Sequence, residues 1–280
     1  MSSAPTRHET APLQAPAEGT VERWAWDLVC GCELEAKLSP PAPPERWEHD
    51  PPARRLPAPG RPPELDSVDR SPRTPRPGAL TDPRARARLL ATFLHHELQA
   101  AELAAWALLA FPETPRAFRA GLLTLVRDEL RHLASYRARL TALGAKVGDF
   151  PVRDWFWERV PSCQDALSFV ALMGLGLEGG NLDHAARFAR ELRSAGDAES
   201  AAVVEQIGHE EEAHVRFAFG WFEHWTGGLD FERWRAALPP PLTPSILRGR
   251  SLNRAARHRA GMDSAFLKAL ERWPNASPGP

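Results

Sequence analysis

The chain writes one four-residue pattern twice. Glu129-Leu-Arg-His132 recurs as Glu211-Glu-Ala-His214, acid and histidine each 82 residues after their counterparts (211 − 129, 214 − 132). On a helix, positions i and i+3 share a face, so each copy presents a carboxylate and an imidazole together. A second pair keeps nearly the same interval: Glu97 in "LHHELQAAELAAW" and Glu178 in "LGLEGGNLDHAARF" lie 81 residues apart (178 − 97). Five residues after each comes another acid, Glu102 and Asp183. This repeat constrains the chain to two copies of one helical unit.

Turn and cap residues set the limits of those units. Asp82 is an N-cap with Pro83 at the first helical position, and apolar residues at helical spacing then run to about Phe111. "FPETP" is a turn in which Thr114 caps and Pro115 opens a second helix, which ends near Gly144. Ser162 is read as the cap of a third helix running to about Arg193. Asp197 caps a fourth that reaches Trp225, before Thr226-Gly227-Gly228. Helices of roughly 28 residues span ~40 Å each. Two short turns and one longer connection, "KVGDFPVRDWFWERVP", predict an all-α four-helix bundle made of two helical hairpins.

Register sharpens the expectation. In an antiparallel hairpin, residues equidistant from the turn lie at one height. Glu97 and Glu129 are equidistant from residue 113, inside "FPETP"; Glu178 and Glu211 are equidistant from a point inside "RSAGD". Glu102 fails this test and points ~140° away from Glu97 at ~100° per residue. Four carboxylates and two imidazoles therefore meet at mid-height. Left unpaired in a core they would carry a large desolvation cost and would protonate. Two divalent cations offset four negative charges, and one Glu from each of two helices with Glu-x-x-His from the other two is a di-iron or di-manganese ligand set. Oxygen-rich ligands with one imidazole per metal suit iron or manganese. The candidate metal ligands are Glu97, Glu129, His132, Glu178, Glu211 and His214.

A lone Glu-x-x-His is ordinarily surface charge; the shared register distinguishes these two. Glu210 and Glu212 are expected to face solvent or arginines such as Arg131. His95, His96 and His209 read as outer partners or surface residues, and Glu102 and Asp183 as structural salt bridges. Tyr136, the only tyrosine, follows His132 by one turn and reads as a core contact, with a hydrogen-bond donor or radical site as the alternative. Trp106, Trp155, Trp157, Trp221 and Trp225 read as packing.

The rest of the chain is organised around this unit. Residues 1–20 read as disordered, and 21–80 as a short helix interrupted near Gly31 plus a proline-rich extended linker or strap; the chain carries 28 prolines. Trp47 and Leu56 are the strap's candidate anchors. Residues 81–228 form the bundle, 229–273 a short helical tail packing on it, and 274–280 a disordered end. A net charge of −1 argues against a nucleic-acid or membrane surface, and no apolar run approaches the ~18 to 20 residues of a span. Three cysteines without a secretory signal predict a reducing cytoplasm. Cys30-Gly-Cys32 lacks a second pair for a zinc site, and Cys163 falls in the first turn of the third helix with no base beside it. Arg248, Arg250, Arg254, Arg257 and Arg259 are a candidate phosphate cluster, although pairing with acids such as Glu210 and Glu212 is the more ordinary role.

"HHELQAAEL", "DELRHLASYRARLTALGAKVGDFP", "LEGGNLDH" and "EEEAHVRFAFGWF", with the tail "LRGRSLNRAARHRAGM", resemble the bacterial ferritin-like family catalogued as domain of unknown function 455. The resemblance covers roughly residues 80–272 and implies a ferritin-like di-metal carboxylate fold. The ligands it implies are the same six residues. The chain departs from the family at Gly179-Gly180, where Ala-Arg is usual, and at Leu133, where an aromatic is usual. Two glycines beside a ligand either widen a pocket for substrate or let a helix or the strap approach closely. A dimetal carboxylate site chiefly reacts with oxygen species, so the ligand set points to a di-iron oxidase or oxygenase of hydroxylase type, holding two iron ions (manganese or mixed Mn/Fe as alternatives). O2 or peroxide, an unidentified small organic substrate and an electron donor would be its partners, in a monomer or dimer. A tRNA-hydroxylating enzyme is one specific version. Non-enzymatic iron handling by a ferroxidase-type protein, and a manganese catalase-like peroxide scavenger, are the other readings.

Overall fold

Helix punctuation builds the architecture of this chain, whose computed structural model describes residues 13–65, 67–70 and 77–274. The described residues are helical and irregular; a single isolated bridge joins Ser67 to Val152. Helix α1 (Val21–Cys30) is capped by Thr20, and α2 (Leu34–Leu38) follows the break at Gly31. Helix α3 (Pro83–Ala110) starts where the Asp82 carboxylate accepts from the Arg84 N–H. The turn after it differs from expectation. Helix α4 (Arg116–Ala142) has Pro115 as its cap residue with no side-chain bond, because the Thr114 hydroxyl instead donates to the Phe111 carbonyl at 2.7 Å.

The third long helix corrects the sequence reading further. Ser162 lies in a 3₁₀ turn, Val160–Ser162. The cap is Asp165, which accepts from the Ser168 N–H while the Ser168 hydroxyl meets the cap's own backbone; this reciprocal box satisfies two otherwise orphaned donors. Cys163 thus precedes the helix, and burial pushes its thiol up to about 12. From Asp165 the chain passes through α5 (Ala166–Phe169), a π-helical stretch (Val170–Glu178) and α6 (Gly179–Ser194) without interruption. Helix α7 (Ala198–Thr226) is capped by Asp197 and ends at Gly227, whose φ of 78° favours glycine.

Helix α3 packs along α4, and α6 along α7; α7 also meets α4 and the π stretch. The apolar core has two parts. One, around Trp106, Phe118, Phe169 and Phe222, lies toward one end of the helices. The other, around Leu90, Leu94, Tyr136, Leu140, Phe188 and Leu192, lies toward the opposite end. Between them runs a polar belt containing both Glu-x-x-His pairs.

The N-terminal segment is a docked strap. The Arg54 N–H donates to the Leu109 carbonyl at 2.8 Å, the Trp106 indole donates to the Leu56 carbonyl at 3.0 Å, and Arg116 lies over the Trp47 ring at 3.6 Å. Residues 13–20, expected to be disordered, are held against it: the Ala17 N–H donates to Glu48 at 2.7 Å and the Gln14 carbonyl accepts from Arg54 at 2.9 Å. The disorder expected for 1–12 and 275–280 lies outside the described residues. After α7 come α8 (Phe231–Ala237), α9 (Arg254–Arg259) and α10 (Ser264–Arg272). Trp234 pins α8 by donating to the Ala171 carbonyl at 2.9 Å. No described helix is long and apolar enough to cross a membrane.

Candidate metal centre

Six side chains from four helices converge in the polar belt: Glu97 from α3, Glu129 and His132 from α4, Glu178 at the end of the π stretch, and Glu211 and His214 from α7. All six are buried, none more than 8% exposed. His214 Nδ1 lies 2.9 Å from both Glu129 Oε1 and Glu211 Oε2. His132 Nδ1 faces Glu97, Glu129 and Glu211 at 3.5, 3.6 and 3.5 Å. The two rings are 5.6 Å apart. Donor atoms fall into two groups, Glu97–Glu129–His132–Glu211 and Glu129–Glu178–Glu211–His214, each with its atoms within 4.8 Å of one another. Glu129 and Glu211 belong to both. The two motif glutamates are thus central and shared, while Glu97 and Glu178 each serve one side.

The unmet valences fit a cation. His132 Nδ1 and Glu129 Oε2 are buried without a hydrogen-bond partner, a state that costs about 1–3 kcal/mol per group. Metal–nitrogen and metal–oxygen bonds near 2 Å place neighbouring donors about 3 Å apart, so contacts of 3.5–3.6 Å surround a point rather than one another. These groups can hold a metal ion.

Electrostatics agrees. Burial and the neighbouring Glu129 hold the Glu97 carboxyl well above the usual range; burial and Glu211 do the same to Glu178. Burial and mutual repulsion also push Glu129 up, but His214 and His132 outweigh them and its pKa falls. Glu211 is depressed in the same way, burial being outweighed by the two imidazoles. Both imidazoles are held cationic: burial opposes the charge, but the surrounding carboxylates prevail. The belt holds positive charge wherever it can.

An outer acid faces each ring, by a hydrogen bond at His132 and by a longer ionic contact at His214. His132 Nε2 meets Glu210 at 2.9 Å, and Glu210 also pairs with Arg131. His214 Nε2 faces Asp128 at 3.5 Å, and that contact helps to hold the Asp128 carboxyl down at about 2. Such partners turn the inner nitrogen toward a metal and raise ligand basicity. The sequence points Glu210 toward solvent or Arg131; its bond to His132 is the unanticipated part. Both acids immediately precede a motif glutamate, which is the signal that identifies them.

Other predicted residues sit outside the cluster. Glu102 is fully buried and accepts from Lys37, Arg61 and Trp157 at 2.7, 2.6 and 2.8 Å. Asp183 accepts from Arg257 at 2.8 Å. His95 bonds to Asp154 at 2.9 Å, His96 stacks on Phe156 with ring centres 4.9 Å apart, and His209 is exposed. Tyr136 packs against Phe93, 5.6 Å between centroids. The arginine cluster is largely spent: besides Arg257, Arg259 pairs with Glu212 at 2.5 Å and Arg254 with Glu271 at 2.8 Å. Gly179 and Gly180 admit neither a helix of the hairpins nor the strap, but the C-terminal tail. A Cβ at Gly179 would stand 3.2 Å from Arg257 Nη1, and one at Gly180 3.4 Å from the Leu247 carbonyl.

A cavity of about 320 Å³ reaches the centre from the side of Glu97 and Glu178, which form part of its wall. A second, apolar void of about 20 Å³ touches Glu129, Glu178 and His214 among Ala104, Phe169 and Met173.

Residues 25–268 match the family described as "Protein of unknown function (DUF455)", and the chain belongs to that family. Among curated proteins and among solved structures, none matches it.

Proposed function

We propose that this family member is a ferritin-like four-helix-bundle protein that holds two iron ions and uses O2 to hydroxylate or otherwise oxidise a small organic substrate. The observation that carries the reading is the pair of donor groups sharing Glu129 and Glu211: one imidazole and one unshared carboxylate per side, with two carboxylates between. Bound iron supplies the redox chemistry with oxygen; the protein sets access, orientation and dryness. Glu97 and His132 would hold one ion, Glu178 and His214 the other, and Glu129 and Glu211 both. Glu210 and Asp128 aim the imidazoles. Hydroxylation consumes R–H, O2, two electrons and two protons and yields R–OH and water, so a one-electron reductase protein is an implied partner.

The cavity favours this reading over iron handling alone, because a protein that only oxidises iron has no use for a ligand-sized chamber against Glu97 and Glu178. Protein purified anaerobically from iron-supplemented cells is expected to contain two iron ions per chain and to consume O2 on exposure. Manganese in place of iron, with peroxide turnover, would replace it by the scavenger reading. Fewer than about half a metal ion per chain under these conditions would overturn it.

A further inference from the structure

The cavity beside the centre has a chemistry of its own. At about 320 Å³ it stands at the lower end of the roughly 300–1,000 Å³ of small-molecule sites. Its walls carry four Phe, Tyr and Trp rings and three imidazoles, and five of these rings form two contacting groups. Phe93 and Tyr136 are in contact at 5.6 Å; His96, Phe156 and Trp155 form a second set, with Phe156 4.9 Å from His96 and 5.7 Å from Trp155. Gly176 and Gly180, from the third long helix, add wall without side chains, and Leu247 closes the tail side.

Charge in the lining is already committed. Arg153, the one lysine or arginine among its described lining residues, is gripped by Glu158 through two bonds of 2.6 Å. His95 is bonded to Asp154. His184 is held neutral by burial and by the neighbouring Arg187. The two lining carboxylates, Glu97 and Glu178, face the centre. With metal bound, the two acids are neutralised and attract no cationic ligand, and an anionic one finds no free side-chain cation among the described lining residues. Either charge would be desolvated without a partner, at a cost of several kcal/mol. Aromatic walls, in contrast, stabilise a ring by stacking and edge contacts. Asn181, whose amide lies 3.5 Å from Glu211 Oε1, and His184 leave a polar handle in the wall.

We propose that this cavity is the substrate chamber and that it takes a neutral, ring-bearing organic molecule with one hydrogen-bonding group, presented toward Glu97 and Glu178. The assignment rests on the metal-centre reading above, and it excludes phosphorylated, carboxylated and nucleic-acid substrates.

Phenol and indole serve as neutral probes, with benzoate and phenyl phosphate as charged counterparts of similar size. Their binding to the full chain, metal-free and metal-loaded, is measured by saturation-transfer NMR with competition. Phenol and indole are expected to bind at least tenfold more tightly than either anion. Two variants at the chamber, T92F and I246W, are expected to weaken indole binding at least tenfold while metal content per chain stays at the wild-type value. Thr92 and Ile246 hold no candidate ligand position, and Ile246 is exposed. Equal or tighter binding of the anions, or undiminished indole binding in both variants, would overturn the chamber assignment. A wild-type protein that holds two metal ions but binds neither neutral probe would overturn it alone. A wild-type protein that fails to hold metal would overturn the metal centre, whatever the probes do.

Discussion

Replacing Glu97 by Gln tests the centre through folding stability, without knowledge of the substrate. In the metal-free chain burial and Glu129 hold the Glu97 carboxyl well above its usual range. An unfolded glutamate titrates near 4.3, and each pH unit of displacement corresponds to about 1.36 kcal/mol. At pH 7 the penalty for keeping this group protonated therefore has a ceiling of about 3.7 kcal/mol. A raised carboxyl pKa means that the folded state binds the proton more tightly than the unfolded one, so the penalty is absent below about pH 4 and grows as pH rises toward the folded pKa. Glutamine removes the titration and loses part of the hydrogen bonding, leaving an expected net gain of about 1–3 kcal/mol for the metal-free variant at pH 7. In a chain of this size that raises Tm by roughly 2–4 °C per kcal/mol. The gain should shrink as pH is lowered to 5. Saturating metal should invert the order, since ligand at 100 times its Kd stabilises by about 2.7 kcal/mol and the variant binds more weakly. Thermal scans of both proteins at pH 5 and 7.5, with chelator and with Fe(II) or Mn(II), give the answer. A variant less stable than wild type without metal, equally so at both pH values and with no inversion on loading, would show that Glu97 is an ordinary buried partner and refute the reasoning.

Other consequences follow from the same geometry. Glu129→Ala and Glu211→Ala should each abolish binding of both metal ions, whereas Glu97→Ala and Glu178→Ala should leave about one per chain by elemental analysis. Asp128→Asn and Glu210→Gln should each weaken metal affinity by roughly 10–100-fold in competition with a chelator, with far-UV circular dichroism unchanged. Lys37→Met strips Glu102 of one of its cations and uncaps the Leu28 and Val29 carbonyls, which Lys37 Nζ meets at 2.8 Å each. It should destabilise the protein by about 2–4 kcal/mol in urea unfolding. Asp183→Asn leaves Arg257 buried without its anion and should cost about 3–5 kcal/mol, with early proteolysis of the C-terminal tail. Acid should act through Glu102. Burial pushes this carboxyl up, but Arg61 and Lys37 outweigh it and hold its pKa low. The stabilisation it gives is therefore present above about pH 4 and lost as pH falls further.

The parts legible in the sequence are those governed by neighbours along the chain. Asp82-Pro83 and Asp197 cap helices through bonds within one turn, and Glu129 and His132 share a face by helical spacing alone. Where two residues one turn apart compete for one role, the local sequence is ambiguous: Ser162 and Asp165 are both capable caps, and Asp165 prevails because Ser168 completes a reciprocal box. The π stretch was not legible at all. It packs closely on a partner helix, where a Cβ on Gly174 would stand 2.2 Å from the Ala218 Cβ, and nothing within Val170–Glu178 announces that closeness. The strap network was also hidden. Lys37 and Arg61 precede Glu102 by 65 and 41 residues, and only folding brings them together. Arg61 also binds Asp154 at 2.8 Å, whose neighbours Trp155 and Phe156 wall the cavity.

The internal repeat extends one residue further than the ligand motif, and that extension links the hairpins. Asp128 precedes Glu129 and meets His214; Glu210 precedes Glu211 and meets His132. Each hairpin thus supplies an acid that faces the other hairpin's imidazole. A single hairpin carrying the full motif would lack both the opposing shared glutamate and the outer acid. The geometry ties assembly of the two halves to formation of the centre. This accounts for duplicated chemistry in one chain: the repeat is useful only when its copies face each other, and the polar belt, otherwise a break between two apolar cores, is where they meet.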